Sequence, residues 1–159
     1  MLTQLDRLSI EADGRYASDR ELQFIQDYCE SLEARISAYE KVRDAEAAIF
    51  EQVETEKNTR NQDQDDRLFY LGSEDRSETC LRDMKGILRR CAATMLINDL
   101  DQMREAVLLW YQTIACAFNY ERDNQIMYRF LDKAVKEYLT PEETELVKPF
   151  LQLNCTILV

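Results

Sequence analysis

Only three glycines and two prolines interrupt the 159 residues of this chain, and that scarcity constrains its fold more than any other feature. Tight turns draw on glycine for positive φ and on proline for a preset corner. A chain poor in both is expected to run as long helices rather than as a turn-rich sheet. The apolar spacing agrees. Leu5, Leu8 and Ala12 recur at helical intervals in a first segment from Leu2 to Ala12, which Asp13-Gly14 ends. Ser18-Asp19-Arg20-Glu21 reads as a capping box, and Leu22, Ile25, Cys29, Leu32 and Ile36 predict the buried face of the helix it opens. A third helical stretch runs to about Lys57, with Val42, Ala45, Ile49, Phe50 and Val53 inward. Asn58 to Ser77 is polar, with Asn-Gln-Asp-Gln-Asp-Asp at 61–66, and predicts a solvated loop. The apolar Leu68-Phe69-Tyr70-Leu71 within it is expected to pack down, over a ligand or a partner.

Four more helices follow in the pattern. One spans about Glu78 to Asn98, the next runs from a cap at Asp99 or Asp101 to about Asn119, and another covers roughly Asp123 to Leu139. Thr140-Pro141-Glu142-Glu143 opens the last, with a capping threonine, proline at the first helical position and glutamate at the third. No segment alternates convincingly with period two. The expected fold is all-α, one domain, with striped helices covering one another around a single core.

Charge and missing residue types narrow the function. A net charge of −11 argues against nucleic acid, which needs a basic face, and against an anionic membrane surface. No apolar run approaches the roughly 20 residues that span a bilayer, and the start lacks the basic and apolar regions of a signal peptide, so a cytoplasmic chain is expected. There is no histidine. That removes the usual haem and zinc ligand and the commonest general base. With no glycine-rich phosphate loop and no metal constellation either, an enzyme is the weakest reading. The five cysteines (29, 80, 91, 116 and 155) form no CxxC pair and read as reduced thiols, mostly small core residues.

Two segments carry a resemblance. Ala12-Asp13-Gly14-Arg15-Tyr16-Ala17-Ser18, followed by Glu21-Leu22, is similar to the N-terminal region of allophycocyanin-type chains. Cys80-Leu81-Arg82-Asp83-Met84-Lys85-Gly86-Ile87-Leu88-Arg89 resembles the chromophore-bearing helix of phycobiliproteins, where Cys-x-Arg-Asp precedes an apolar stretch and Leu-Arg. The chain is thereby identified as a member of the phycobiliprotein family, the bilin-binding globins of the cyanobacterial light-harvesting system. The resemblance implies a globin-like helical domain over 1–159, with an N-terminal hairpin (1–34) used in dimerisation and a globin-like core (35–159). It implies a bilin, an open-chain tetrapyrrole such as phycocyanobilin, in place of haem or metal. It also implies pairing with a second copy or a related chain, through Asp13 and Tyr16 of one and Arg89 of the other, and contact with a bilin lyase or bilin-biosynthesis enzymes. The chain departs from the family pattern at Asn98-Asp99, where Gly-Asp is usual, and at Thr113-Ile114-Ala115-Cys116, where Leu-Gly-Thr-Pro is usual. These departures fit a divergent auxiliary paralog, similar to globins associated with bilin biosynthesis, better than a standard antenna subunit.

The residues of the second segment suit that chemistry. A thiolate adds well to an unsaturated carbon of ring A, and the basic Arg76 and Arg82 near Cys80 are expected to favour it. Asp83 follows Cys80 by three residues and so shares its helix face, where its carboxylate could accept the inner pyrrole N–H groups. Arg82 lies about 200° around the helix from Cys80, yet its long side chain could curve to a propionate. The plainer alternative is a buried core thiol at Cys80 with Arg82 and Asp83 on a solvated face. Cys91 and Cys116, without such neighbours, are expected in the core. Trp110 and Tyr111 could wall a pocket or fill the core.

Overall fold

The computed structural model describes residues 1–63 and 67–158, and within them helix dominates. α1 (Leu2–Glu11) leads into a turn at Gly14, whose φ of 77° suits glycine. α2 (Asp19–Arg60) follows, and its start is fixed by Glu21, which accepts the Ser18 backbone N–H at 2.8 Å and holds Arg15 with both carboxylate oxygens. The expected break between a second and a third helix is absent. No glycine or proline lies between Asp19 and Arg60, so nothing stops propagation. The single helix has 42 residues, about 63 Å at 1.5 Å per residue.

After α2, Leu68 and Phe69 are fully buried, as the apolar patch predicted. Asn61 closes over them by accepting the Leu68 N–H at 2.8 Å. Gln64, Asp65 and Asp66 of the expected loop lie outside the described residues. A minimal hairpin, β1 (Tyr70–Leu71) with β2 (Glu74–Asp75), turns at Gly72 (φ 62°). The hairpin is too short for a period-two pattern to be visible in the sequence. α3 (Ser77–Leu96) then brings Cys80, Met84, Ile87, Leu88, Cys91 and Met95 into the core. α4 (Leu100–Met103), a π-helical turn (Arg104–Leu108) and α5 (Leu109–Ala117) make up the stretch expected as one helix. α6 (Glu121–Lys136) and α7 (Pro141–Ile157) complete the chain, and Thr140 with Glu143 forms the expected capping box.

The core lies where α2 packs on α3, α6 and α7, and α7 on α3 and α6. Val42, Ile49, Phe50 and Val53 of α2 face inward as expected. The first half of α2 follows its predicted face only in part, with Ile25 and Leu32 half-buried. Leu22 (37% exposed), Cys29 and Ile36 (43%) look outward. The inward positions belong instead to Tyr28 and Arg35, which donate to Leu96 O (3.2 Å) and Met95 O (2.7 Å) at the end of α3. The last carbonyls of that helix accept these polar side chains, and Leu22, Cys29 and Ile36 are left facing away from the core. α1 has no buried residue, and its start is tied to the core by Asp99, whose carboxylate accepts from Thr3 N and Thr3 Oγ1 at 2.8 and 2.9 Å. Among the described residues no helix is long and apolar enough to cross a membrane.

Candidate functional site

The α3 register puts Cys80 and Asp83 on one face, three residues apart, and both line a cavity shared with Arg76, Thr79, Tyr111, Ile114, Phe118 and Tyr120. α3 contributes the thiol and carboxylate, α5 an apolar wall, and the α5–α6 turn a pair of aromatic rings. That turn is built by Asn119. Its φ of 55° lets Asn119 N–H reach Cys116 O and Tyr120 N–H reach Ala115 O at 2.9 Å, closing the orphan carbonyls of α5. Asn98 (φ 50°) closes α3 in the same way, with Asp99 N–H on Thr94 O at 2.9 Å. At both turns asparagine occupies a left-handed position, which its short polar side chain tolerates better than most residues.

The Phe118 ring stacks on Tyr120 (centroids 5.8 Å apart, planes at 17°), and Tyr120 meets Phe69 edge-on at 5.9 Å. Phe69 itself has a φ of 61°, costly for an aromatic residue. It is held by Asp123, which accepts its N–H at 2.6 Å, and by Arg76 N–H on its carbonyl at 2.8 Å. The cavity so enclosed measures about 80 Å³. A small-molecule site usually takes roughly 300–1,000 Å³, so a large ligand enters only if a wall gives way. A larger open groove between α2 and α6 contains none of the predicted residues.

The expected thiolate is not favoured. Cys80 is 6% exposed, and burial pushes its thiol up to about 12; Asp83 and Asp123 push the same way, while Tyr120 and Arg76 oppose weakly. Sequence proximity overstated the cations, because Arg82 points into solvent (73% exposed) and rests on Asp83 at 3.5 Å. Arg76 does line the cavity, with its outer nitrogen on Glu74 at 2.8 Å and its buried Nε unpartnered. Burial raises the Tyr111 and Tyr120 hydroxyls and the Asp123 carboxyl as well. Cys91 is fully buried, but Cys116, expected in the core, is exposed. Trp110 is 67% exposed and walls nothing, whereas its neighbour Tyr111 lines the cavity.

The other predicted positions lie elsewhere. Asp13 and Tyr16 (99% exposed) sit in the α1–α2 turn. Arg89 forms a two-pronged bond to Glu46 of its own chain at 2.6 and 2.7 Å. Phe118, Tyr120 and Asp123 escaped the sequence reading because they come from the start of α6 and the turn before it. A Phe-Asn-Tyr triplet at a helix end was the available signal.

The cavity's residues fit part of a conjugated ring ligand bearing acidic groups: flat aromatic walls, a carboxylate for ring N–H donors, a thiol and an unpartnered guanidinium nitrogen. Among the described residues no group of three or more Cys, Asp or Glu side chains is placed to hold a metal ion. Compared with known proteins, residues 8–158 match the family model described as Phycobilisome protein. No curated protein matches the chain.

Proposed function

Because this chain belongs to the phycobilisome protein family, we propose that it binds a bilin covalently at Cys80 and serves light harvesting. The observation that carries this reading is the convergence of Cys80, Asp83 and Arg76 on one aromatic-walled cavity. When bound, the tetrapyrrole supplies visible absorption. Asp83 would accept N–H bonds from its inner pyrroles, and Arg76, with Arg82 after rotation from solvent, would take the propionates. The Cys80 sulfur would add across an exocyclic double bond while its proton passes to the adjacent carbon, so no oxidant is needed. At pH 8 a thiol of pKa about 12 is ionised in about one molecule in ten thousand, which favours help from a bilin lyase.

A second reading has its own support. The small cavity and the protonated thiol suit an accessory chain in bilin biosynthesis or phycobilisome assembly that carries pigment transiently or not at all. Either role places the chain in the cytoplasm or on the thylakoid surface through a phycobilisome. Both roles involve pairing through the 1–34 portion against the 35–159 core of a second copy or related chain. The outward apolar residues of α1 and early α2, with Asp13 and Tyr16 in the turn between them, would supply one side of that surface, and Arg89 of the other chain would face Asp13.

Mass spectrometry of chain co-produced with bilin tests the assignment. Wild type should gain a tetrapyrrole's mass and Cys80→Ala should not. An adduct surviving Cys80→Ala, or one found on Cys116, would overturn attachment at Cys80. Full absence of pigment from wild type would favour the accessory role.

A further inference from the structure

We propose that the Phe118 side chain is a swinging lid over Cys80, which closes on the fixed ring of Tyr120 and must turn outward before anything larger than water reaches the sulfur. The proposal rests on reading this cavity as the ligand site, and it concerns how that site is opened. Phe118 and Tyr120 both line the cavity that holds the Cys80 thiol, yet they are held very differently. Tyr120 is pinned from four sides. Its N–H bonds Ala115 O, its carbonyl accepts from Asn124 N–H at 2.8 Å, its ring meets the buried Phe69, and its hydroxyl lies beside the Cys80 sulfur. Phe118 is the last residue before the Asn119 turn, stacked on Tyr120 with its outer side in solvent and 42% exposed.

Rotating Phe118 about its side-chain torsions gives up its stack on Tyr120, whereas moving Tyr120 would also break its contact with the buried Phe69 and its place beside Cys80. The backbone beneath both rings is fixed by the bonds that close α5, so the mobile part is a side chain and not the turn. A closed lid also accounts for the paradox of a reactive residue that is 6% exposed at the edge of a cavity of about 80 Å³. The thiol is kept from solvent oxidants and from casual electrophiles until a ligand or a delivering protein displaces the ring.

The test uses the whole pigment-free chain and N-ethylmaleimide, a small neutral thiol reagent, with peptide mapping to follow each cysteine. Cys91, fully buried behind α7 contacts, reports global opening in the same sample. Phe118→Ala should raise the Cys80 rate roughly tenfold or more while Cys91 stays slow, as a local opening requires. Phe118→Leu should give a smaller rise, and Phe118→Tyr, which keeps a ring in place, should stay near wild type. An unchanged Cys80 rate in Phe118→Ala would overturn the lid. So would a matched rise at Cys80 and Cys91, since protection would then belong to folding as a whole. No tetrapyrrole enters the assay, so failure of the bilin reading leaves this result standing, and the reverse also holds.

Discussion

The thiol of Cys80 sits four residues after a guanidinium and three before a carboxylate, and the two act on it unequally. Burial and Asp83 dominate, and Arg76 contributes least among the causes of the shift. The shared face of Cys80 and Asp83 was legible, because helical spacing alone fixes it. The ionisation state was not, because it depends on walls supplied by Tyr111, Phe118 and Tyr120, thirty to forty positions away in sequence. Asp83 is the residue whose role spectra can isolate. Asp83→Asn keeps the shape and removes the charge, so pigment-loaded variant should absorb more weakly or further to the blue than wild type, and an identical spectrum would mean that Asp83 does not touch the pyrroles. The same variant should lower the Cys80 thiol pKa, since a nearby negative charge is gone.

Among the elements, α2 departs most from its sequence pattern. Its second half obeyed the apolar periodicity, while its first half obeyed it only at the half-buried Ile25 and Leu32, because Tyr28 and Arg35 reach inward to carbonyls at the end of α3. Leu22, Cys29 and Ile36 are left outside, on the same N-terminal portion of the chain as the exposed Tyr16 and Ile10. Exposed positions tolerate substitution, with effects on folding of about 0.5 kcal/mol or less. Leu22→Asp and Ile36→Asp should therefore leave helicity unchanged and shift sedimentation toward the smaller species if α2 is where chains pair. Asp13→Lys should act in the same direction. Arg89 is a weaker probe than its sequence position suggested, since its bond to Glu46 must be exchanged before a partner can use it. Equal sedimentation of wild type and all three variants would move the pairing surface elsewhere.

For the molecule as a whole, α2 and α7 are joined by a polar clamp whose pH dependence has a definite sign. Glu143 is nearly buried, which alone would raise its pKa, but bonds from Lys41 (2.6 Å), Ser37 (2.6 Å) and Thr140 N–H (2.7 Å) overcome this and bring it from 4.5 to about 2. A carboxyl depressed in the folded state adds stability above its unfolded value and loses it as pH falls toward the folded one. Denaturant titrations should thus show a loss of about 2 kcal/mol between pH 4.5 and 2 that Glu143→Gln no longer displays. The capping half of this clamp was readable in Thr140 to Glu143, whereas Lys41 and Ser37 reach it only through the packing of α2 on α7. A different consequence follows from Trp110, the chain's single tryptophan. Its indole stands in water on α5, one residue before the cavity-lining Tyr111. Ultraviolet-excited tryptophan emission from the intact protein therefore comes from one wet fluorophore at the rim of the site. A tetrapyrrole seated behind α5 would drain that emission by resonance transfer, and the chain's own glow would dim in proportion to its filling.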